Sequence, residues 1–124
     1  MKNYLFDTTV LIDYLRYNPK ITALFDKIQT PAISVITVCE VYQGAGNKIV
    51  LNKIKSTLSN FKVFPLTESI SQRLLQLIEQ YHLSYGLLIP DALIASTAIE
   101  NNFTLLTGNF KHFQMIEGLK VEKW

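Results

Sequence analysis

The sequence predicts an α/β protein of three layers, α/β/α, around a central, mainly parallel sheet of four or five strands. Three observations carry this expectation. Short apolar runs of strand length alternate with longer stretches of helical periodicity along the whole chain. Residues that start or stop helices fall between them. Two of the runs end directly on polar chemistry, at Asp7 and at Thr107-Gly108-Asn109, and in parallel sheets the carboxyl ends of the strands face the active site.

The elements follow in order. Tyr4-Leu5-Phe6 is a buried strand ending at Asp7, and Thr8 and Thr9 offer N-cap hydroxyls ahead of the helical face Val10, Leu11, Tyr14 and Leu15. Asn18-Pro19 breaks that helix; Ile21, Leu24, Phe25 and Ile28 make the next stripe, which stops before Pro31. Ala32 to Ile36 is a second strand or its end, followed by a helix carrying Thr37, Glu40 and Val41 that Gly44 and Gly46 terminate. Ile49, Ile54, Leu58 and Phe61 mark an amphipathic helix over 48–61, and Lys62 to Leu66 a strand with Pro65 at its end. Thr67-Glu68 opens a long helix with Ile70, Leu74, Leu77, Ile78 and Tyr81 on one face, and Gly86 marks the next loop. The helix from Asp91 to Glu100 is rich in small residues, suited to close packing on a sheet. Thr104 to Thr107 is a fourth strand and Leu119 to Glu122 a possible fifth.

With 124 residues the chain is expected to be one domain, 1–124, large enough for a single core. No apolar run approaches the ~20 residues of a membrane span, and the N-terminus turns acidic too soon for a secretory signal. Cys39 is the only cysteine, so no internal disulfide forms and a reducing cytoplasm is the expected location. A net charge of +2 does not by itself imply nucleic acid. Its distribution says more: no acid lies between Glu40 and Glu68, while Lys48, Lys53, Lys55 and Lys62 do. That stretch reads equally as a solvated helix face or as a polyanion contact.

Asp7, Glu40 and Asp91 are the candidate site. Each stands where an apolar run gives way to polar chemistry. Two carboxylates ~4 Å apart at an effective dielectric near 20 repel by about 4 kcal/mol, against a typical domain stability of ~5–15 kcal/mol. A converged trio therefore requires a cation or shared protons, and oxygen ligands without a Cys/His set favour Mg²⁺ or Mn²⁺. Such ions activate water and stabilise charge on a phosphate undergoing in-line displacement. Each acid also has a plain structural reading: Asp7 as a helix cap, Asp91 as a favourable charge after Pro90 in a first turn, Glu40 as an exposed helix residue. Spacing does not decide between them. Cys39 reads as a small buried residue, Asp13 and Asp26 as solvated helix residues, and His82 and His112 show no ligand spacing.

Four segments give the chain a resemblance to the PIN-domain family, most closely its VapC-type toxins. They are Leu5-Phe6-Asp7-Thr8-Thr9-Val10-Leu11-Ile12-Asp13, Ser34 through Glu40, Pro90-Asp91-Ala92-Leu93-Ile94-Ala95-Ser96-Thr97-Ala98, and Leu106-Thr107-Gly108-Asn109-Phe110-Lys111-His112-Phe113. Any one is weak; four in order over the whole chain are strong. The resemblance implies a PIN-like fold and a Mg²⁺- or Mn²⁺-dependent endoribonuclease, the toxin of a toxin–antitoxin pair. Asp7 and Asp91 would hold the metal, Glu40 would complete the pocket and position or deprotonate the attacking water, and Thr8 and Thr107 would orient the carboxylates. Where many members of the family place another Asp, this chain has Asn109, with His112 three residues on; Asn109 remains a candidate catalytic residue, able to bind metal or water by its carbonyl, but it adds no negative charge, which puts a second tightly held metal in doubt. The resemblance further implies a homodimer silenced by an antitoxin protein, with RNA as substrate and no membrane association. Lys48, Lys53 and Lys55 are candidates for contact with RNA or antitoxin.

Two other readings compete. A non-catalytic RNA- or protein-binding module on a degenerate PIN fold is motivated by Asn109 and His112. An aspartate-nucleophile phosphatase usually needs a second acid two residues after the first, where Thr9 stands.

Overall fold

The computed structural model describes residues 3–28 and 30–124. Its strands are β1 (Tyr4–Phe6), β2 (Ala32–Ser34), β3 (Lys62–Phe64), β4 (Thr104–Thr107) and β5 (Lys120–Lys123). Its helices are α1 (Thr8–Leu15), α2 (Pro19–Asp26), α3 (Val35–Gln43), α4 (Lys48–Thr57), α5 (Glu68–Tyr85) and α6 (Ile89–Glu100), with 3₁₀ turns at Leu58–Asn60 and Phe110–His112. The strands form one sheet in the order β3-β2-β1-β4-β5, and every pairing is parallel. The expected mainly parallel sheet of four or five strands is thus a wholly parallel one of five.

Strand periodicity divides the core in two. Leu5, Ala32 and Leu105 point to the layer of α5 and α6, where they meet Leu77, Tyr81, Ala92 and Ala95. Their neighbours Phe6, Ile33 and Leu106 point the other way, toward Val10, Leu11, Ile21 and Phe25 of α1 and α2 and Val41 of α3. Phe25 meets Phe6 at 4.6 Å and Phe61 at 5.4 Å between ring centroids, both edge-on. Ala92, Ala95 and Ala98 of α6 are fully buried, so this helix has no solvent stripe to mark it as amphipathic. Its buried hydroxyls bond backward along the helix, Ser96 to the Ala92 carbonyl at 2.7 Å and Thr97 to that of Leu93 at 2.8 Å.

Several boundaries differ from the sequence expectation. Residue Asp7, not Thr8 or Thr9, occupies the N-cap position of α1, and neither its carboxylate nor any other side chain caps the helix. Strand β2 stops at Ser34 rather than Ile36, because the Ser34 hydroxyl accepts from the Ile36 amide and starts α3. Helix α2 ends at Asp26 and leaves Ile28 outside, while α6 begins at Ile89, two residues before Asp91, since Pro90 fits a first turn. Strand β5 runs one residue later than expected, at Lys120–Lys123. No helix among the described residues is long and apolar enough to cross a membrane.

This strand order positions the site. From β1 the chain winds outward through β2 to β3, then crosses back over α5 and α6 to place β4 on the other flank of β1. The winding direction changes between β1 and β4, and in parallel sheets the space beyond the carboxyl ends of such strands is the usual place for a ligand. Asp7 follows β1 immediately and Thr107 closes β4.

Candidate active site

Asp7, directly after β1, is only 3 % exposed. Thr107 of β4 donates its hydroxyl to Asp7 Oδ2 at 2.7 Å, and Thr9 of α1 donates to the same oxygen at 3.0 Å. Each hydroxyl also accepts a main-chain N–H, Thr107 from Asn109 at 2.9 Å and Thr9 from Gly108 at 2.9 Å. Two polarised relays thus converge on Oδ2, while no hydrogen bond among the described residues reaches Oδ1. The orienting bonds use one oxygen and leave the other for a ligand.

Glu40 projects from α3 into the same region. Its Oε1 accepts from Thr8 at 2.7 Å, and Thr8 lies 3.0 Å from the fully buried hydroxyl of Thr37. A hydroxyl has one proton; Thr8 gives its own to Glu40, so Thr37 donates to Thr8. Asp91 enters from the first turn of α6, with His112 Nδ1 at 3.2 Å from its Oδ2. With Asp91 ionised, that Nδ1 carries the proton. Burial pushes the Asp91 carboxyl above its ordinary value; the Asp7 charge adds to this, His112 opposes it, and Glu40 raises it further. Asp91 thus lies within electrostatic reach of both Asp7 and Glu40, a proximity that spacing along the sequence left undecided.

Among the described residues no Lys or Arg forms an ion pair with any of the three. A buried carboxylate with only neutral donors retains a large uncompensated field. No three His, Cys, Asp or Glu side chains among the described residues close around an ion by themselves. A divalent ion held here would therefore need oxygens from water or a ligand to complete its shell. The all-oxygen donor set, the excess of acidic charge and the open oxygen of Asp7 suit a hard divalent cation in general.

The remaining expectations resolve as follows. Thr8 and Thr107 both bond to site carboxylates. The sequence reading assigns neither Thr9 nor Thr37 to the site; Thr37, one helical turn before Glu40, carries a local signal, whereas the role of Thr9 depends on the remote Gly108. Exposed Asn109 reaches Thr107 through its main chain. Lys48, Lys53 and Lys55 are exposed on α4, and only Lys53 lines a groove, about 430 Å³, that reaches Glu40 between α1, α3 and α4. Cys39 is exposed rather than buried, because it falls on the outer face of α3. Asp13 is not a merely solvated residue: it accepts the indole N–H of Trp124 at 2.9 Å, a contact 111 residues apart in sequence.

Comparison with known proteins fits this arrangement. The family profile described as PIN domain matches residues 4–117. The chain belongs to the PIN-domain family. Ribonuclease VapC1 of Methanocaldococcus jannaschii is 35 % identical to this PIN domain, over 94 % of this chain and 85 % of its own length. A toxin–antitoxin complex from Klebsiella pneumoniae contains a chain of the same fold, with a TM-score of 0.78 and 32 % identity, covering 94 % of each chain. VapBC2 from Rickettsia felis, solved with a DNA fragment from its promoter, superposes with a TM-score of 0.82 at 27 % identity over 98 % of each chain.

Proposed function

We propose that this PIN domain, acting as a single unit over 1–124, is a divalent-metal-dependent endoribonuclease and the toxin of a toxin–antitoxin pair in the cytoplasm. The observation that carries the reading is the shared field of Asp7, Glu40 and Asp91 at the switch point of the sheet, with His112 on Asp91 and no Lys or Arg among the described residues paired to any of the three. Its support from relatives is the ribonuclease name of the Methanocaldococcus jannaschii protein and the toxin–antitoxin complexes of the same fold.

Asp7 and Asp91 would hold Mg²⁺ or Mn²⁺, directly or through water, with Glu40 completing the pocket. When bound, the ion supplies Lewis acidity toward the phosphodiester and lowers the cost of forming hydroxide from water. Thr107 and Thr9 keep the Asp7 carboxylate fixed by their two bonds to Oδ2. Thr8, backed by Thr37, holds Glu40 by one oxygen and leaves the other to orient a water and take its proton. His112 holds Asp91 against the repulsion of its neighbours.

For partners, the apolar walls of the groove beside Glu40, with Arg16 and Lys53 at its sides, suit a segment of an antitoxin protein. Leu83, Tyr85, Leu88 and Ile89, all exposed where α5 meets α6, supply apolar surface for a second copy in a homodimer. Light scattering of the purified chain tests the dimer.

The deciding experiment is RNA cleavage by purified protein. Cleavage should require Mg²⁺ or Mn²⁺, stop with EDTA, and fall at least about a hundredfold in Asp7→Asn and in Asp91→Asn, given that electrostatic groups of an active site are each worth ~10²–10³. Full cleavage by Asp7→Asn overturns the assignment. Lack of any metal response would favour the non-catalytic binding module instead.

A further inference from the structure

Beside the carboxylates, on the β4–β5 side, lies a cavity of about 400 Å³ whose walls carry the opposite charge. It shares Thr107, Asn109 and His112 with the site and continues over Phe110, Lys111, Lys123 and Trp124; no acidic side chain lines it. Lys123 sets its ammonium 5.2 Å from the Phe110 ring centroid, and Lys20 does the same over Trp124. Trp124 is itself held in place, by its indole N–H on Asp13 and by its main-chain N–H on the Thr107 carbonyl at 2.8 Å. The same Thr107 orients Asp7.

Flat aromatic faces interleaved with ammonium groups are the combination that binds single-stranded nucleic acid: rings stack on bases and cations neutralise phosphates. The volume suits about one nucleotide, within the ~300–1,000 Å³ usual for ligand sites. An acidic peptide would use the lysines but gain little from two fixed rings. The cavity adjoins the carboxylates, because Thr107 and His112 line it and bond to Asp7 and Asp91, so it is within reach of a nucleotide next to a phosphate held there. We propose that the cavity formed by Phe110, Lys111, Lys123 and Trp124 is a subsite for one nucleotide of single-stranded RNA next to the cleaved bond. The proposal rests on the ribonuclease reading for its substrate, and it assigns RNA recognition to the β5 side rather than to α4.

Trp124 is the only tryptophan of the chain, so its fluorescence reports on the cavity alone. The 124-residue chain carrying Asp7→Asn, kept in EDTA so that RNA stays intact, is titrated with a short single-stranded oligoribonucleotide. Saturable quenching is expected. Lys111→Glu and Lys123→Glu should each weaken binding about tenfold, and neutralising each phosphate contact should lower the salt slope by about 0.7. Lys62→Glu, the same charge change on β3 at the opposite edge of the sheet, should leave affinity unchanged. Unaltered melting temperatures show that the variants remain folded.

Absent quenching, or variants that bind as tightly as the parent, overturn the subsite. If the wild-type chain cleaves RNA all the same, the nuclease reading survives that failure. If quenching and its lysine dependence hold but the wild type cleaves nothing, the subsite stands and the nuclease reading falls. Quenching by a hexaglutamate peptide and not by RNA would assign the cavity to a protein partner and overturn the proposal.

Discussion

At the residue scale, Asp7 is almost wholly buried, and its neighbours supply the hydrogen bonds that its carboxylate needs there. Two threonine hydroxyls, each polarised by a main-chain amide, converge on one carboxylate oxygen. A hydrogen bond to a charged group is worth ~1.5–3 kcal/mol, more than a neutral one. Thr107→Val, which keeps the shape and removes the hydroxyl, should therefore destabilise the metal-free chain by about 2 kcal/mol in urea denaturation and reduce cleavage sharply; Thr107→Ser should restore both. Gly108 bears on the same point. A Cβ there would lie 3.2 Å from Thr9 Oγ1, so Gly108→Ala pushes on the hydroxyl that steadies Asp7. Cleavage should fall with little change in melting temperature, because Gly108 is exposed. The sequence indicates Asp7 as a site residue, since an acid ending an apolar strand is conspicuous. It does not indicate Thr9, whose role depends on Gly108, 99 residues away.

At the element scale, helix starts matter more than helix faces. Acids enter the site from the ends of short elements: Asp7 between β1 and α1, Asp91 in the first turn of α6. Glu40 alone comes from the middle of a helix, where Thr37 lies one turn back and, through Thr8, fixes it. Ends were harder to read than interiors. Ser34 turns from strand to cap within one residue, so the apolar run Val35-Ile36 looks like strand and is helix. Gly86 closes α5 at φ +73, with its amide on the His82 carbonyl at 2.7 Å, a left-handed cap that a side chain strains. Gly86→Ala should cost about 1 kcal/mol in denaturant midpoint measurements. Cleavage by the folded protein should be unchanged, because no side chain of the site lies on that turn.

At the scale of the whole molecule, the fold gathers negative charge at one crevice and stores the resulting repulsion. Asp91 feels it directly, through burial and through Asp7 and Glu40. Asp91→Asn should accordingly raise the melting temperature of the metal-free chain by about 3 °C, roughly 1 kcal/mol for a domain of this size. Mn²⁺ at a hundred times its dissociation constant should stabilise the wild type by ~2.7 kcal/mol and the Asp91→Asn variant by much less, read as metal-dependent shifts in a thermal melt. A binding module with a decayed site would show neither shift.

Alternating apolar runs, the residues that punctuate them and the acids at their ends are properties of short stretches of chain. They made the α/β class, most elements and the three candidate acids legible in the sequence. Strand order, the donors on each carboxylate and the basic cavity beside them join residues up to a hundred or more positions apart. Asp13 and Trp124, or Thr107 and Asp7, carry no local sign of one another. Those contacts exist because parallel strands need long crossovers, and a crossover brings the ends of remote segments to the same edge of the sheet. The tertiary structure alone could decide them, since only burial of both sheet faces sets which remote ends meet.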